Sequence, residues 1–296
     1  MNDFITLNYA GCTAIVQRQG AQMASFKTAD GREIIWQADP NVWPQHTPVL
    51  FPVCGSVKDN QVKIGGVTYP MTKHGFTRSV MFDVAKIGED FVELVLTPNE
   101  ENSKMYPFNF AFHVTYTLFD GGYTTTFLVE NCDSKPMPFC VGGHPGFACP
   151  MEDGAAFTDY QLVFDEVEDG KNYLAPGGGL IDGYEYLPGF HNAQVLPLSH
   201  DLFDERDALL FCGLKSRGVK LVHKQSGKGL RFTFPKFEVL AVWSKPHANA
   251  DYLCLEPWHG MPEAVGESGN MEDKPYATIL APGHCYKTWF TATVID

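Results

Sequence analysis

No apolar stretch among these 296 residues approaches the ~20 that a membrane-spanning helix requires, and Met1-Asn2-Asp3-Phe4 lacks the basic start and apolar core of a secretory signal. Both absences point to a cytoplasmic protein away from membranes. Basic residues are few, 22 Lys and Arg against 35 Asp and Glu, for a formal charge of −13. That balance opposes a phosphate backbone or an anionic lipid surface, so nucleic acid is excluded as a partner. The eight cysteines, at 12, 54, 132, 140, 149, 212, 254 and 285, form no Cys-x-x-Cys pair, which excludes a zinc ribbon and a dithiol redox motif. They read as reduced, mostly buried small residues. Cys140 and His144 could share a metal, but Gly142-Gly143 intervenes and further ligands are lacking nearby, so no metal is expected. There is no Gly-x-Ser-x-Gly elbow, and Gly177-Gly178-Gly179 has neither the spacing nor the lysine of a phosphate-cradling loop. Repeats and charge runs are missing, and helical periodicity shows only from Asp201 to Leu210.

What is present is short alternating runs. Hydrophobic residues at 44% with 19% charged describe a globule with ample core. The length allows two domains, but no boundary is demanded, and the chain is read as one domain over 1–296. Period-two segments rich in β-branched and aromatic residues cover Phe91 to Thr97, Phe110 to Leu118, Tyr123 to Val129, Leu230 to Phe234, Val239 to Trp243 and Thr288 to Val294. Asp30-Gly31, Gly65-Gly66 and Asp120-Gly121-Gly122 mark hairpins. With 28 glycines and 20 prolines, the pattern predicts an all-β chain built as a large antiparallel sandwich. The segment 170–189 is the loosest, either a surface excursion or a hairpin over the mouth of a cleft.

Three segments carry candidate chemistry. Leu253-Cys254-Leu255-Glu256-Pro257-Trp258-His259-Gly260 ends an apolar run on a carboxylate, then adds a residue that cannot donate to a ladder and a large aromatic. Lys73-His74-Gly75-Phe76-Thr77-Arg78 and Gly142-Gly143-His144-Pro145-Gly146-Phe147 each set a histidine among glycines and an aromatic, where backbone can approach a ligand. Taken singly, each of these ionisable residues could merely tie down a turn. Together they suggest one site. A ligand held there would need an apolar face and polar donors, for which Trp258, Phe76, Phe147, Trp243 and Arg78 are candidates.

In their order, these three motifs resemble the aldose 1-epimerase (galactose mutarotase) superfamily, and within it the LacX-like branch. The resemblance runs from Gly20-Ala21 and Pro48-Val49-Leu50-Phe51-Pro52 to Leu280-Ala281-Pro282-Gly283. It implies a supersandwich of antiparallel sheets with a sugar on a concave face, and exchange of α and β anomers without metal or organic cofactor. It also implies that His144 is the general acid, Glu256 the general base, and His74 the histidine that positions the sugar. Arg78 and Asp207 would belong to the site, though Asp207 reads equally as a helix-end surface charge. Related chains often follow the Phe51-Pro52-Val53 stretch with Gly and a basic residue; here Gly55 is followed by Ser56, with Lys58 two positions on. The loss of that cation and the charge of −13 favour a neutral hexose over a hexose 6-phosphate. Two other readings stand beside this one: a glycosidase pairing Glu256 with Asp207 or Glu263, and a non-catalytic carbohydrate-binding or regulatory module. A homodimer is neither demanded nor opposed by the sequence.

Overall fold

The computed structural model describes residues 3–296. Among them the alternating segments become strands of two large antiparallel sheets. One has nine strands in the order Ala193–Pro197, Tyr160–Glu168, Gly218–His223, Gly229–Thr233, Cys285–Ile295, Gly122–Asn131, Phe110–Phe119, Phe91–Leu96 and Asp83–Ile87. The other runs Tyr184–Tyr186, Lys171–Tyr173, Ala208–Cys212, Val239–Trp243, Tyr252–His259, Val141–Gly143 and Val49–Leu50, with Gly146–Ala148 also paired to Tyr252–His259. A three-stranded sheet, Phe4–Tyr9, Cys12–Gln17 and Gln22–Lys27, precedes them.

Period-two geometry sends alternate side chains to opposite faces, and the second sheet uses both. Leu209, Phe211, Leu240, Val242, Leu253 and Leu255 enter the largest buried cluster, which also holds Phe232, Phe290, Phe127 and Phe112 of the nine-stranded sheet. Contacts such as Phe147 on Phe232 at 5.8 Å and Phe164 on Phe211 at 6.0 Å, between ring centroids, join the two layers. Between these core positions, Ala208, Leu210, Ala241, Trp243, Glu256 and Trp258 line a cavity on the other face.

The expected hairpins form at Asp120-Gly121 and Gly65-Gly66, and Lys27 bridges Glu33 across Asp30-Gly31. The expected helix does not hold over its length. Only Asp201–Asp204 is helical; Asp207 then adopts φ 67 and Ala208–Cys212 is a strand. A left-handed residue ends a right-handed helix, and the apolar run after it has cross-strand partners in Val239–Trp243. No helix among the described residues is long and apolar enough to cross a membrane.

Candidate active site

The central strand Tyr252–His259 places two of the candidate groups by register alone. Gly142 pairs with Trp258 and Gly146 with Cys254, so His144, midway between, stands across from Glu256. Pro145 interrupts the ladder there because it has no N–H, and its carbonyl instead accepts from Leu255 N–H at 3.2 Å. His144 N–H donates to Pro48 O at 2.9 Å, which fixes the turn. The outcome is a His144 Nε2 to Glu256 Oε2 separation of 3.2 Å, with the two residues only 8% and 2% exposed. Trp43 stacks on the His144 ring at 5.0 Å, and the Trp243 ring meets it edge-on at 5.6 Å.

His74 arrives on a loop. Its N–H donates to Gly55 O at 2.9 Å, and Gly55 N–H donates to its Nδ1 at 3.0 Å. With Nδ1 accepting, the neutral ring carries its proton on Nε2 and is fixed as a donor. The neighbouring Gly75, at φ 77, forms a parallel bridge with Phe51 so close that a Cβ would strike the Phe51 carbonyl. His74 itself has φ 68, and Asp207 shares that left-handed conformation. Two non-glycine residues held there, both lining one cavity, are the kind of strain that accumulates at functional sites.

The cavity has a volume of about 240 Å³ and is bounded by Trp43, Lys73, His74, Arg78, His144, Asp207, Trp243, Glu256 and Trp258, among others. Its electrostatics are set first by burial of the side chains. Burial pushes the Glu256 carboxyl well above its ordinary range, helped by Asp207 and opposed by Lys73 and Arg78. Burial, then the Arg78 and Lys73 cations, push His144 down to about 3. His74 is likewise driven well down, first by burial and then by His144. Asp207 is raised by burial against the pull of Lys73. Burial thus works against charge on both members of the pair, while Lys73 and Arg78 pull the Glu256 carboxyl back toward its ionised form. His144 Nδ1, Glu256 Oε2 and Trp258 Nε1 are buried without hydrogen-bond partners, an unusual cluster for one small cavity.

Residues 3–290 match the family model described as aldose 1-epimerase. Protein LacX of Lactococcus lactis subsp. lactis is 34% identical over 304 residues, spanning 100% of this chain and 98% of its own. This chain belongs to the aldose 1-epimerase family. Two solved structures of the same shape are a galactose mutarotase-like protein from Lactobacillus casei, with TM-score 0.92, 30% identity and coverage of 99% and 100%, and a galactose mutarotase related enzyme from Lactobacillus acidophilus, with TM-score 0.92, 29% identity and coverage of 99% and 97%.

Of the candidates named above in the sequence of this aldose 1-epimerase family member, His74, Arg78, His144, Asp207, Trp243, Glu256 and Trp258 line the cavity. Phe147 does not. It is 0% exposed, pairs with Leu253 and packs on Phe232 in the core, so it offers no face to a ligand. Phe76 is also core, edge-on to Phe51 at 6.2 Å. Lys58 is exposed and lies outside the cavity, its N–H donating to Glu263 Oε2 at 3.1 Å; it does not replace the basic residue at position 56. Glu263 is held by that bond and likewise lies outside the cavity. Ser56 does line it, and its hydroxyl donates to Gly178 O at 2.6 Å. That bond fastens the 170–189 segment, whose Gly177, Gly178 and Gly179 form part of the cavity wall, so the segment is more than a surface excursion.

Sequence reasoning missed Trp43 and Lys73. Trp43 comes from a loop with no motif, and only tertiary contact brings it to His144. Lys73 directly precedes His74 and had a signal in that adjacency. A Cβ on Gly178 would collide with Lys73 Nζ and approach Asp207 Oδ2 to 2.9 Å, which brings that cation and that carboxylate together at the rim.

Proposed function

We propose that this protein is an aldose 1-epimerase that interconverts the α and β anomers of a neutral hexose. The observation that carries this reading is the ladder register that sets His144 against Glu256 at 3.2 Å inside a cavity of about 240 Å³. Ring opening needs a proton taken from the anomeric hydroxyl and a proton given to the ring oxygen. Glu256 takes the first as C1 becomes a carbonyl and the C1–O5 bond breaks, while His144 gives the second to O5. The pair thus passes from carboxylate with imidazolium to carboxylic acid with imidazole. These are two tautomers of one proton inventory, and burial works toward the second, in which neither group is charged. Rotation about C1–C2 followed by the reverse transfers closes the ring with the other configuration and restores the pair. Binding a polar sugar supplies hydroxyls that favour the charged tautomer from which the reaction starts.

His74, held as an Nε2–H donor, directs one sugar oxygen. Arg78 gives one N–H to Lys73 O at 2.8 Å and keeps further donors for hydroxyls. Asp207 offsets one of the two cations, Lys73 and Arg78, and the His144–Glu256 pair is neutral as a unit, so a single unbalanced positive charge would face a phosphate dianion, which supports a neutral ligand. The deciding experiment is exchange spectroscopy by NMR on anomers of free and phosphorylated hexoses. Acceleration of exchange for a free hexose is expected; saturable binding with no acceleration for any sugar would assign the protein to a carbohydrate-binding role instead.

A further inference from the structure

Cys254 takes no part in these proton transfers, yet it lies two residues before Glu256 on one strand, which puts both side chains on the cavity side of the sheet. Its Sγ, a ring nitrogen of His144 and a carboxylate oxygen of Glu256 all lie within 4.8 Å of one another, and all three residues are buried. Sulfur, imidazole and carboxylate form a donor set suited to Zn²⁺. Tetrahedral zinc with bonds of ~2.0–2.1 Å to nitrogen and oxygen sets those donors roughly 3.3 Å apart. The observed Nε2 to Oε2 separation is 3.2 Å, and Glu256 Oε2 has no hydrogen-bond partner. The nitrogen–oxygen pair therefore already has the spacing of a shared ion, and the sulfur, within 4.8 Å of both, lies near enough to close on it by a small side-chain movement.

We propose that His144, Cys254 and Glu256 bind one Zn²⁺, with the fourth position open to water or a sugar hydroxyl, and that the ion switches off anomer exchange. The inhibitory half rests on the proposed epimerase reading, and the binding half does not. On binding, the Cys254 S–H bond breaks, an S–Zn bond forms, and the thiol proton passes to solvent with the proton held between His144 and Glu256. Acid and base are then both occupied by metal.

Co²⁺ is a coloured probe for such a site, since a thiolate ligand gives a near-ultraviolet charge-transfer band. The parent for the test is the full chain carrying Cys132→Ser and Cys285→Ser, which removes the two exposed thiols. One equivalent of Co²⁺ should raise the band, Zn²⁺ should abolish it, and Cys254→Ser should lack it while keeping the circular dichroism and melting profile of the parent. Saturating hexose should weaken Co²⁺ binding by competing for the same cavity. In exchange assays, Cys254→Ser should retain activity and need at least about tenfold more Zn²⁺ for half inhibition, because losing a ligand costs no less than losing an outer partner. No band in the parent, or a band that survives in Cys254→Ser, overturns the proposal. If Cys254→Ser fails to fold, Glu256→Gln provides the second arm, and an undiminished band there overturns it equally. A Cys254-dependent band in a protein that accelerates no sugar's exchange would leave the metal site standing and remove the epimerase reading alone.

Discussion

Replacing one oxygen of Glu256 by an amide keeps the side chain's shape and removes its ability to take a proton. Glu256→Gln should therefore lower anomer exchange by about 10²-fold or more while sugar binding stays measurable by calorimetry. His144→Asn should cost more than His74→Asn, since the first loses the proton donor and the second a fixed Nε2–H contact; equal or reversed losses would exchange their roles. The same residues give opposite pH slopes in stability. Burial raises the Glu256 carboxyl in the folded chain, so its contribution is complete below the ordinary 4.5 and fades as pH rises toward the folded-state value. Glu256→Gln has no proton to lose and should gain stability relative to the parent as pH rises from about 5 to 8. His144 falls from 6.5 to about 3, so its contribution is complete above 6.5 and is lost as pH drops toward 3. His144→Asn should flatten that acid limb. Urea unfolding of the three proteins across this range reads both slopes, and parallel curves would mean that neither group is desolvated as described.

Strands explain what could be read in advance and what could not. Glu256 and Trp258 are two residues apart on one strand, so even spacing keeps them on one face, and both line the cavity. His144 and Phe147 are three apart, and because the pairing resumes in phase beyond Pro145, the odd spacing sends Phe147 to the core. Parity, available in the sequence, would have corrected that assignment. The pairing of Gly142 with Trp258 was not available, because register depends on which distant strands meet. Nor was Trp43, whose only credential is its stack on His144. The Asp201 to Leu210 segment misled because Leu202, Phe203, Leu209 and Leu210 fit a helical stripe, whereas the left-handed Asp207 splits it. Phe147→Ala tests the core placement: it should cost ~3–5 kcal/mol in unfolding free energy, as for other fully buried aromatics, with sugar affinity of the folded protein unchanged. A selective loss of affinity at undiminished stability would return Phe147 to the site.

At the scale of the molecule, a charge of −13 surrounds a cavity in which Asp207 offsets one of the two cations, Lys73 and Arg78, and the His144–Glu256 pair is neutral as a unit. A dianionic phosphate gains little there, so kcat/KM should be higher for glucose or galactose than for the matching 6-phosphates. A phosphate held by arginine would shift the ratio by at least tenfold, or ~1.4 kcal/mol, the other way. A preference for the 6-phosphate that vanishes in Arg78→Ala would change the substrate and leave the reaction in place.

The ladder that sets His144 against Glu256 also assigns the two sides of the cavity to different clocks. Tyr252–His259 is an interior strand, flanked by Val239–Trp243 and Val141–Gly143, whereas the wall segment around Gly178 hangs between Lys171–Tyr173 and the outermost strand, Tyr184–Tyr186. Interior amides exchange with solvent only when much of the sheet opens, while edge hairpins open on their own. In deuterium, the Leu255 and Cys254 amides should be among the last to exchange and those around Gly177 to Gly179 among the first, with bound sugar slowing the second group far more than the first. On warming, such a protein would lose that wall, and its grip on the sugar, well before the proton-transferring pair lost its geometry.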